Sequence, residues 1–326
     1  MGRVVLVTGV AGPFGALFSR HLAERRDALG IDRVVGLDLR PPSGELGGVK
    51  FVRADIRTPV IGKIMAVEDV DTVVHLDLGS GGGRGAGTKE RNVIGTMQLL
   101  AACQRSTLLT KLVVGSSTAV YGSSPRDPAM FTESSVARGG VRSGFPKDIV
   151  EVESYVRGFA RRRPEVLITT VRSAQVLHPD VQTPLRDYFL NPMLPTAIGY
   201  DPRLQFCHLD DALAVATEAV VQDRPGTFNL AGDGVLLLSQ AARRLGRPTV
   251  PFPSLGFASG AARLTRLMGG TLSPDLHRVL TYGRVVDTTA LREIFGYEPR
   301  YTTEEIFEEF RAAVRPGILA GIGRNA

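Results

Sequence analysis

The chain has 326 residues, 43% of them hydrophobic and 22% charged, with a formal net charge of +6 at pH 7. Those proportions fit a globular protein with a large core and exclude a disordered or low-complexity chain. No apolar run approaches the ~18 residues of a membrane helix and no basic stripe carries interleaved aromatics, so neither a membrane nor a nucleic acid is expected as partner.

The opening run Val4–Thr8 is too short for a secretory signal and ends at a glycine turn, so a cytoplasmic protein is expected. The two cysteines, Cys103 and Cys207, lie far apart without C-x-x-C spacing, which predicts buried small residues and no disulfide or metal framework. The positive charge is almost wholly arginine, which suits an anionic cofactor or substrate. The Arg161-Arg162-Arg163 run precedes Pro164, where cations complement the end of a helix.

Taken in order, short β-branched runs alternate with helical patterns. Strands are predicted at Val4–Thr8, Arg33–Asp38, Phe51–Arg53, Thr72–Leu76, Lys111–Gly115 and Val166–Arg172, and helices at Phe14–Arg26, Thr88–Arg105 and Asp148–Arg163. The rhythm implies an α/β fold with a doubly wound parallel sheet. Beyond residue 180 prolines 184, 192, 195 and 202 break it. A short helix at Asp210–Val221 and one return to the sheet at Thr227–Leu230 follow, then helical patterns between Pro- and Gly-rich loops. The expected organisation is a nucleotide domain over residues 1–180 with a return segment near 205–232. A smaller C-terminal substrate-binding lobe covers 181–204 and 233–315, and 316–326 form a loose tail.

Gly9, Gly12 and Gly15 form G-x-x-G-x-x-G between a strand and a helix. Glycines there permit a tight turn and let backbone approach a pyrophosphate at a helix N-terminus, the Rossmann-type arrangement. Pro13 suits the first helical turn. Asp38 lies 23 residues beyond Gly15, close to where an acidic residue takes the adenosine ribose hydroxyls, which favours NAD. Arg40 is placed to meet a 2′-phosphate, so NADP stays open. Asp55, followed by Ile56, is positioned for the adenine amino group or for a capping role.

These residues, with His75-Leu76, Asn92-Val93-Ile94-Gly95-Thr96, Ser116–Gly122, Phe131-Thr132-Glu133, Val171-Arg172, Phe206–Ala212, Gly226–Leu230, Asp287-Thr288-Thr289 and Phe295–Pro299, carry a resemblance. The chain resembles the extended short-chain dehydrogenase/reductases, the NAD-dependent epimerase/dehydratase family, over almost its whole length. The resemblance implies a hydride moving between the nicotinamide and a carbon bearing a hydroxyl or carbonyl. It implies a cofactor set of Gly9, Gly12, Phe14, Gly15, Asp38, Arg40, Asp55, Ile56, Leu76, Asn92 and Lys147. It also implies a small-molecule substrate and a homodimer through the Thr88–Arg105 and Asp148–Arg163 helices. Ser117, four residues before Tyr121, takes the place of the serine or threonine that hydrogen-bonds the reacting oxygen. The Asp210-Asp211 pair and His208 are expected to be structural.

The chain departs from the pattern at the acid/base. The family's Y-x-x-x-K aligns with Ser143-Gly144-Phe145-Pro146-Lys147, so the lysine is kept and the tyrosine is Ser143, with Glu151 at the usual acidic position. A serine hydroxyl is shorter and much less acidic than a phenol and cannot replace it simply. The catalytic set is therefore Ser117, Lys147 and Ser143. The missing proton is expected from Tyr121 or Tyr155, from a water held by Ser143 and Lys147, or from the substrate, unless no turnover occurs. Gln175 replaces a substrate-seating asparagine. Thr118-Ala119 replaces the acidic pair of dehydratases, which disfavours dehydration. Asp77, where an alanine is usual, is expected near the cofactor, as a loop or capping residue ahead of a stray base, and Gly79–Gly85 is read as a mobile lip. Three readings remain: a reductase of a carbonyl on an aromatic or polyketide-type metabolite, a sugar-nucleotide epimerase with a relocated acid/base, and a non-catalytic dinucleotide-binding protein.

Overall fold

The computed structural model describes residues 2–79, 86–136, 144–253, 257–268 and 272–317. Ser143 and residues 80–85 of the glycine-rich run lie outside them, so those two expectations have no structural counterpart.

Seven strands form the main sheet: β1 (Arg3–Thr8), β2 (Ile31–Asp38), β3 (Lys50–Arg53), β4 (Thr72–His75), β5 (Lys111–Ser117), β6 (Leu167–Ser173) and β7 (Gly226–Leu230). Their order is β7-β6-β5-β4-β1-β2-β3, and β1 pairs in parallel with both β2 and β4. Val5, Leu6 and Val7 are fully buried, as unbroken apolar runs of a parallel sheet covered on both faces must be. Thr8 lies opposite Leu37 in β2 and His75 in β4, so the carboxyl ends of three strands finish level. The chain leaves β1 toward β2 on one side and returns as β4 on the other, the switch point where such sheets open a crevice.

Helix α1 (Pro13–Glu24) begins after the extended N-cap Gly12, with proline in its first turn. It ends two residues before the predicted boundary. Arg26–Leu29 form a separate short turn stopped by left-handed Gly30. The segment predicted as one helix over Thr88–Arg105 starts earlier, at Ala86–Lys89, and widens to a π-helix over Glu90–Gly95 before α2 (Thr96–Arg105). Helix α3 (Gly144–Arg162) also starts before the predicted Asp148, because a helix accepts proline in its first turn. Arg163 donates from Nη1 to the carbonyls of Cys103, Gln104 and Ser106, beyond and within the last turn of α2.

The described residues fall into two compact units. The first gathers residues 1–117, 143–172 and 213–228, and the second 118–142, 173–212 and 229–326. The first unit's core runs from Leu6 and Val35 to Leu99, Val152 and Phe159. The 118–136 stretch, grouped with the first 180 residues by the sequence reading, is held in the second unit. Tyr121 Oη donates to Asn229 Oδ1 at 2.7 Å, Phe131 N to Val285 O at 2.9 Å and Arg284 Nε to Gly122 O at 2.8 Å. The second unit packs around Phe189, Phe206, Phe307 and Phe310. It also contains strands that prolines concealed: Leu194–Ala197 pairs in parallel with Thr249–Phe252, with Pro195 opposite Val250 and Pro251 opposite Thr196. A two-stranded sheet has only edges, where a missing N–H is tolerated. The start of the predicted tail is docked, since Gly317 N donates to Leu245 O at 2.8 Å.

Candidate functional site

The loop after β1 is built so that backbone can come close to an anion. Gly9 has φ +81°, and a Cβ there would stand 2.8 Å from the backbone of Asp77. A Cβ on Gly15 would collide with the Gly9 carbonyl. Gly9 N donates to Leu37 O and Gly12 N to Gly9 O, at 3.0 and 3.1 Å. First-turn N–H groups of a helix have no intrahelical acceptor, so Phe14 and Gly15 offer theirs outward. The Phe14 ring stacks on Phe18 at 6.1 Å, which leaves its amide as its contribution to the loop.

Asp38 is coupled directly to this loop. Its Oδ2 accepts from Ala11 N at 3.0 Å and its Oδ1 from Arg40 N at 3.1 Å. Two backbone donors fix the carboxylate at the mouth of a cavity of about 330 Å³, lined by Asp38, Arg40, Asp55, Ile56, Asp77 and Arg91 among others. Four of those six are the predicted Asp38, Arg40, Asp55 and Ile56. Asp55 is gripped by Arg57, whose Nε and Nη2 donate to its oxygens at 3.0 and 2.7 Å. That hydrogen bonding holds the Asp55 carboxyl below the usual carboxylate range.

Asp77 differs from the other two acids. Burial pushes its carboxyl up to about 7, against the opposing charge of Arg91 and with help from Asp38 and Asp55. Arg91 Nε stands 3.6 Å from Asp77 Oδ1, too far for a hydrogen bond, and that buried nitrogen has no hydrogen-bond partner. Neither Arg91 nor Arg57 belonged to the predicted set.

Beneath the pocket runs a buried polar chain. Thr96 Oγ1 donates to Asn92 O, so it must accept from His75 Nε2 at 2.8 Å. His75 then carries its proton on Nε2, and Nδ1 accepts from Thr8 Oγ1 at 2.8 Å. Thr8 Oγ1 in turn accepts from Leu76 N at 3.2 Å, which sets the start of the Leu76-Asp77 segment. Burial lowers His75 to about 4, in keeping with this neutral tautomer. Asn92, on the π-helix, bonds both backbone groups of Gly79 and donates from Nδ2 to Asp148 Oδ2 at 3.2 Å. Gly95 permits the packing, since a Cβ there would stand 2.6 Å from Ile56 Cγ2.

Ser117 closes β5 at its carboxyl end and is part-exposed. The side chain of Lys147 is exposed, while its neighbour Asp148 is buried against Asn92. Glu151 accepts from Tyr155 Oη at 3.5 Å. A second buried acid of α3 is Glu153, which sequence reasoning missed. It accepts from Arg172 Nε and Nη2 at 2.9 and 2.6 Å and from Ser116 Oγ at 2.7 Å. Helical spacing from Ile149, Val152 and Val156 puts positions 148 and 153 on the inward face, a signal present in the sequence. In the second unit Tyr121 is spent on Asn229 and stacks on Phe131 at 4.8 Å. His208 bonds Glu309 at 3.0 Å and stacks on Tyr301, and Asp211 accepts from Tyr297 Oη at 2.7 Å. His208 is packed and hydrogen-bonded, the environment the sequence predicts for it.

With this geometry in place, comparison with known proteins decides the family. The sequence pattern of the NAD dependent epimerase/dehydratase family matches residues 5–231. The chain belongs to that family. It is an enzyme of the short-chain dehydrogenase/reductase type. An uncharacterized protein of Mycobacterium tuberculosis is 42% identical over 94% of this family member and 83% of its own length. Two solved structures share the fold. A dTDP-glucose 4,6-dehydratase from Bacillus anthracis in complex with NAD has a TM-score of 0.71 at 16% identity, covering 95% of this chain and 96% of that one. A UDP-glucose 4-epimerase with UDP-glucose from Thermotoga maritima has a TM-score of 0.70 at 18% identity, covering 95% and 97%. This member's own residues fit a dinucleotide: glycine Cβ atoms would fill the cradle at Gly9 and Gly15, and Asp38 is fixed by the same loop.

Proposed function

We propose that the protein binds NAD through the Gly9–Gly15 loop and Asp38 and uses it to reduce the carbonyl of a small molecule, an aromatic or polyketide-type ketone. The observation carrying this reading is the Ala11 N to Asp38 Oδ2 bond, which sets the phosphate loop and the ribose-directed acid as one rigid piece. The amides of Phe14 and Gly15 hold the pyrophosphate. Asp38 accepts from the ribose hydroxyls, and the Arg40 side chain at the rim admits NADP as the alternative. A bound nicotinamide supplies the hydride. Ser117 donates a hydrogen bond to the reacting oxygen, where negative charge develops, and water or an acidic group of the substrate supplies the proton.

A one-way reductase is favoured because an epimerase must take up and return a proton at one residue. Ser143 is no tyrosine, and the second turn of α3 sets the buried acid Asp148 beside Asn92, while the Lys147 side chain is exposed. If Lys147 and Ser143 share the work, they do so by holding a water. A homodimer through the 86–105 and 144–162 helices is supported by Ile94, Met97 and Val150, all exposed apolar residues. The reading is tested by NADH consumption with aromatic ketones and quinones beside interconversion of UDP-glucose and UDP-galactose. Turnover of the ketones alone is expected. Interconversion of the sugars at a comparable rate overturns the reductase.

A further inference from the structure

Asp77 is the acid in this pocket that the loop and Arg57 leave unclaimed. Asp38 is held by two backbone donors and Asp55 by Arg57. Among the described residues Asp77 meets only the Arg91 cation, at a distance beyond hydrogen bonding. Its backbone packs against Gly9, at the start of the loop that leads into the N-terminus of α1, so closely that a Cβ on Gly9 would not fit. Its side chain is 15% exposed and lines the same cavity as Asp38 and Asp55. A second carboxylate charge beside a pyrophosphate is unfavourable, whereas a carboxylic acid is a hydrogen-bond donor to it.

We propose that Asp77 takes up a proton when the dinucleotide binds, and that Arg91 turns its unpartnered Nε from Asp77 to the phosphate charge. This rests on the dinucleotide reading of the site and adds to it a proton as a co-ligand. The charges around Asp77 are consistent in direction. From the end of β2 come Asp38 and the Arg40 guanidinium, and from the end of β3 come Asp55 and Arg57. From the 86–91 segment come Arg91, the exposed Lys89 and Glu90, which pairs with Arg57 at 3.4 Å. The glycine loop carries no ionisable side chain, and His75 at the base is neutral. Asp38 and Asp55 already oppose ionisation of Asp77, and burial brings its carboxyl to about 7 before any ligand arrives. Arriving phosphates raise it further, so the bound state keeps the proton to higher pH than the free state. By linkage, affinity then falls by up to tenfold per pH unit as pH rises above about 7.

The test is titration calorimetry of the full chain with NADH at pH 8, in buffers of different ionisation heat. Uptake approaching one proton per dinucleotide bound is expected. Asp77→Asn, which keeps the neutral shape, is expected to bind with no proton uptake and with an affinity flat between pH 6 and 8.5. Wild-type affinity flat over that range, with no uptake, overturns the inference while leaving the dinucleotide reading intact. Equal pH dependence in Asp77→Asn also overturns it. No binding at any pH overturns both.

Discussion

His75 is enclosed between Thr8 and Thr96 with both ring nitrogens bonded, and burial lowers it to about 4 from its ordinary 6.5. The unfolded chain therefore binds a proton that the folded chain refuses over that interval. Stability from this residue is complete above pH 6.5 and is lost as pH falls toward 4, by about 1.4 kcal/mol per unit. Denaturant midpoints from pH 7.5 to 5 should fall more steeply for wild type than for His75→Gln, a difference that cancels the contributions of His21 and His277. Equal slopes would contradict the neutral buried tautomer. The glycines, Asp38 and Asp55 were legible in the sequence because a glycine loop between strand and helix dictates its own backbone. The Asp77–Arg91 relation was not, because it depends on how the 75–79 and 86–91 segments approach each other. The spacing of the two residues along the chain carries no sign of it.

Helix α3 shows what alignment to a motif leaves out. Counting from Tyr121 assigned the cation to Lys147 and the acid to Glu151, but the helix starts at Gly144 and turns Asp148 and Glu153 inward. Helical phase, set by Ile149, Val152, Val156 and Phe159, decides which side chains are buried. The Glu153–Arg172 pair, 3% and 9% exposed, ties α3 to β6, and Ser116 ties it to β5. Removing Arg172 leaves the buried Glu153 carboxylate to Ser116 and to the more distant, exposed Arg157, 3.5 Å away, so the loss falls toward the lower end of the ~3–5 kcal/mol of a broken buried pair. Arg172→Met should lose that much in chemical denaturation, while Arg172→Met with Glu153→Leu should recover most of it. Additive losses in the double variant would contradict a direct coupling. The π-helix over Glu90–Gly95 was also outside what periodicity predicts, since an extra residue per turn looks like ordinary helix in a sequence. It is this widened turn that carries Asn92, with bonds to both Gly79 and Asp148.

Across the molecule, the sheet was readable because buried parallel strands are continuous apolar runs and the chain alternates them with helices. The second unit was harder to read, since Pro195 and Pro251 sit inside strands and the 118–136 stretch joins that unit through Tyr121, Phe131 and Arg284. Among the described residues, no helix is long and apolar enough to cross a membrane. The central claim concerns the crevice at the carboxyl ends of β1, β2 and β4, where one loop fixes Asp38 and cradles phosphate. The chain has no tryptophan, so the emission of NADH itself reports binding without interference. Titrating NADH and NADPH into the full chain should give saturable binding at micromolar concentration, tighter for NADH, and at least tenfold weaker in Gly15→Ala, whose Cβ meets the Gly9 carbonyl. Absence of saturable binding by either nucleotide, or equal affinity in Gly15→Ala, would contradict the account.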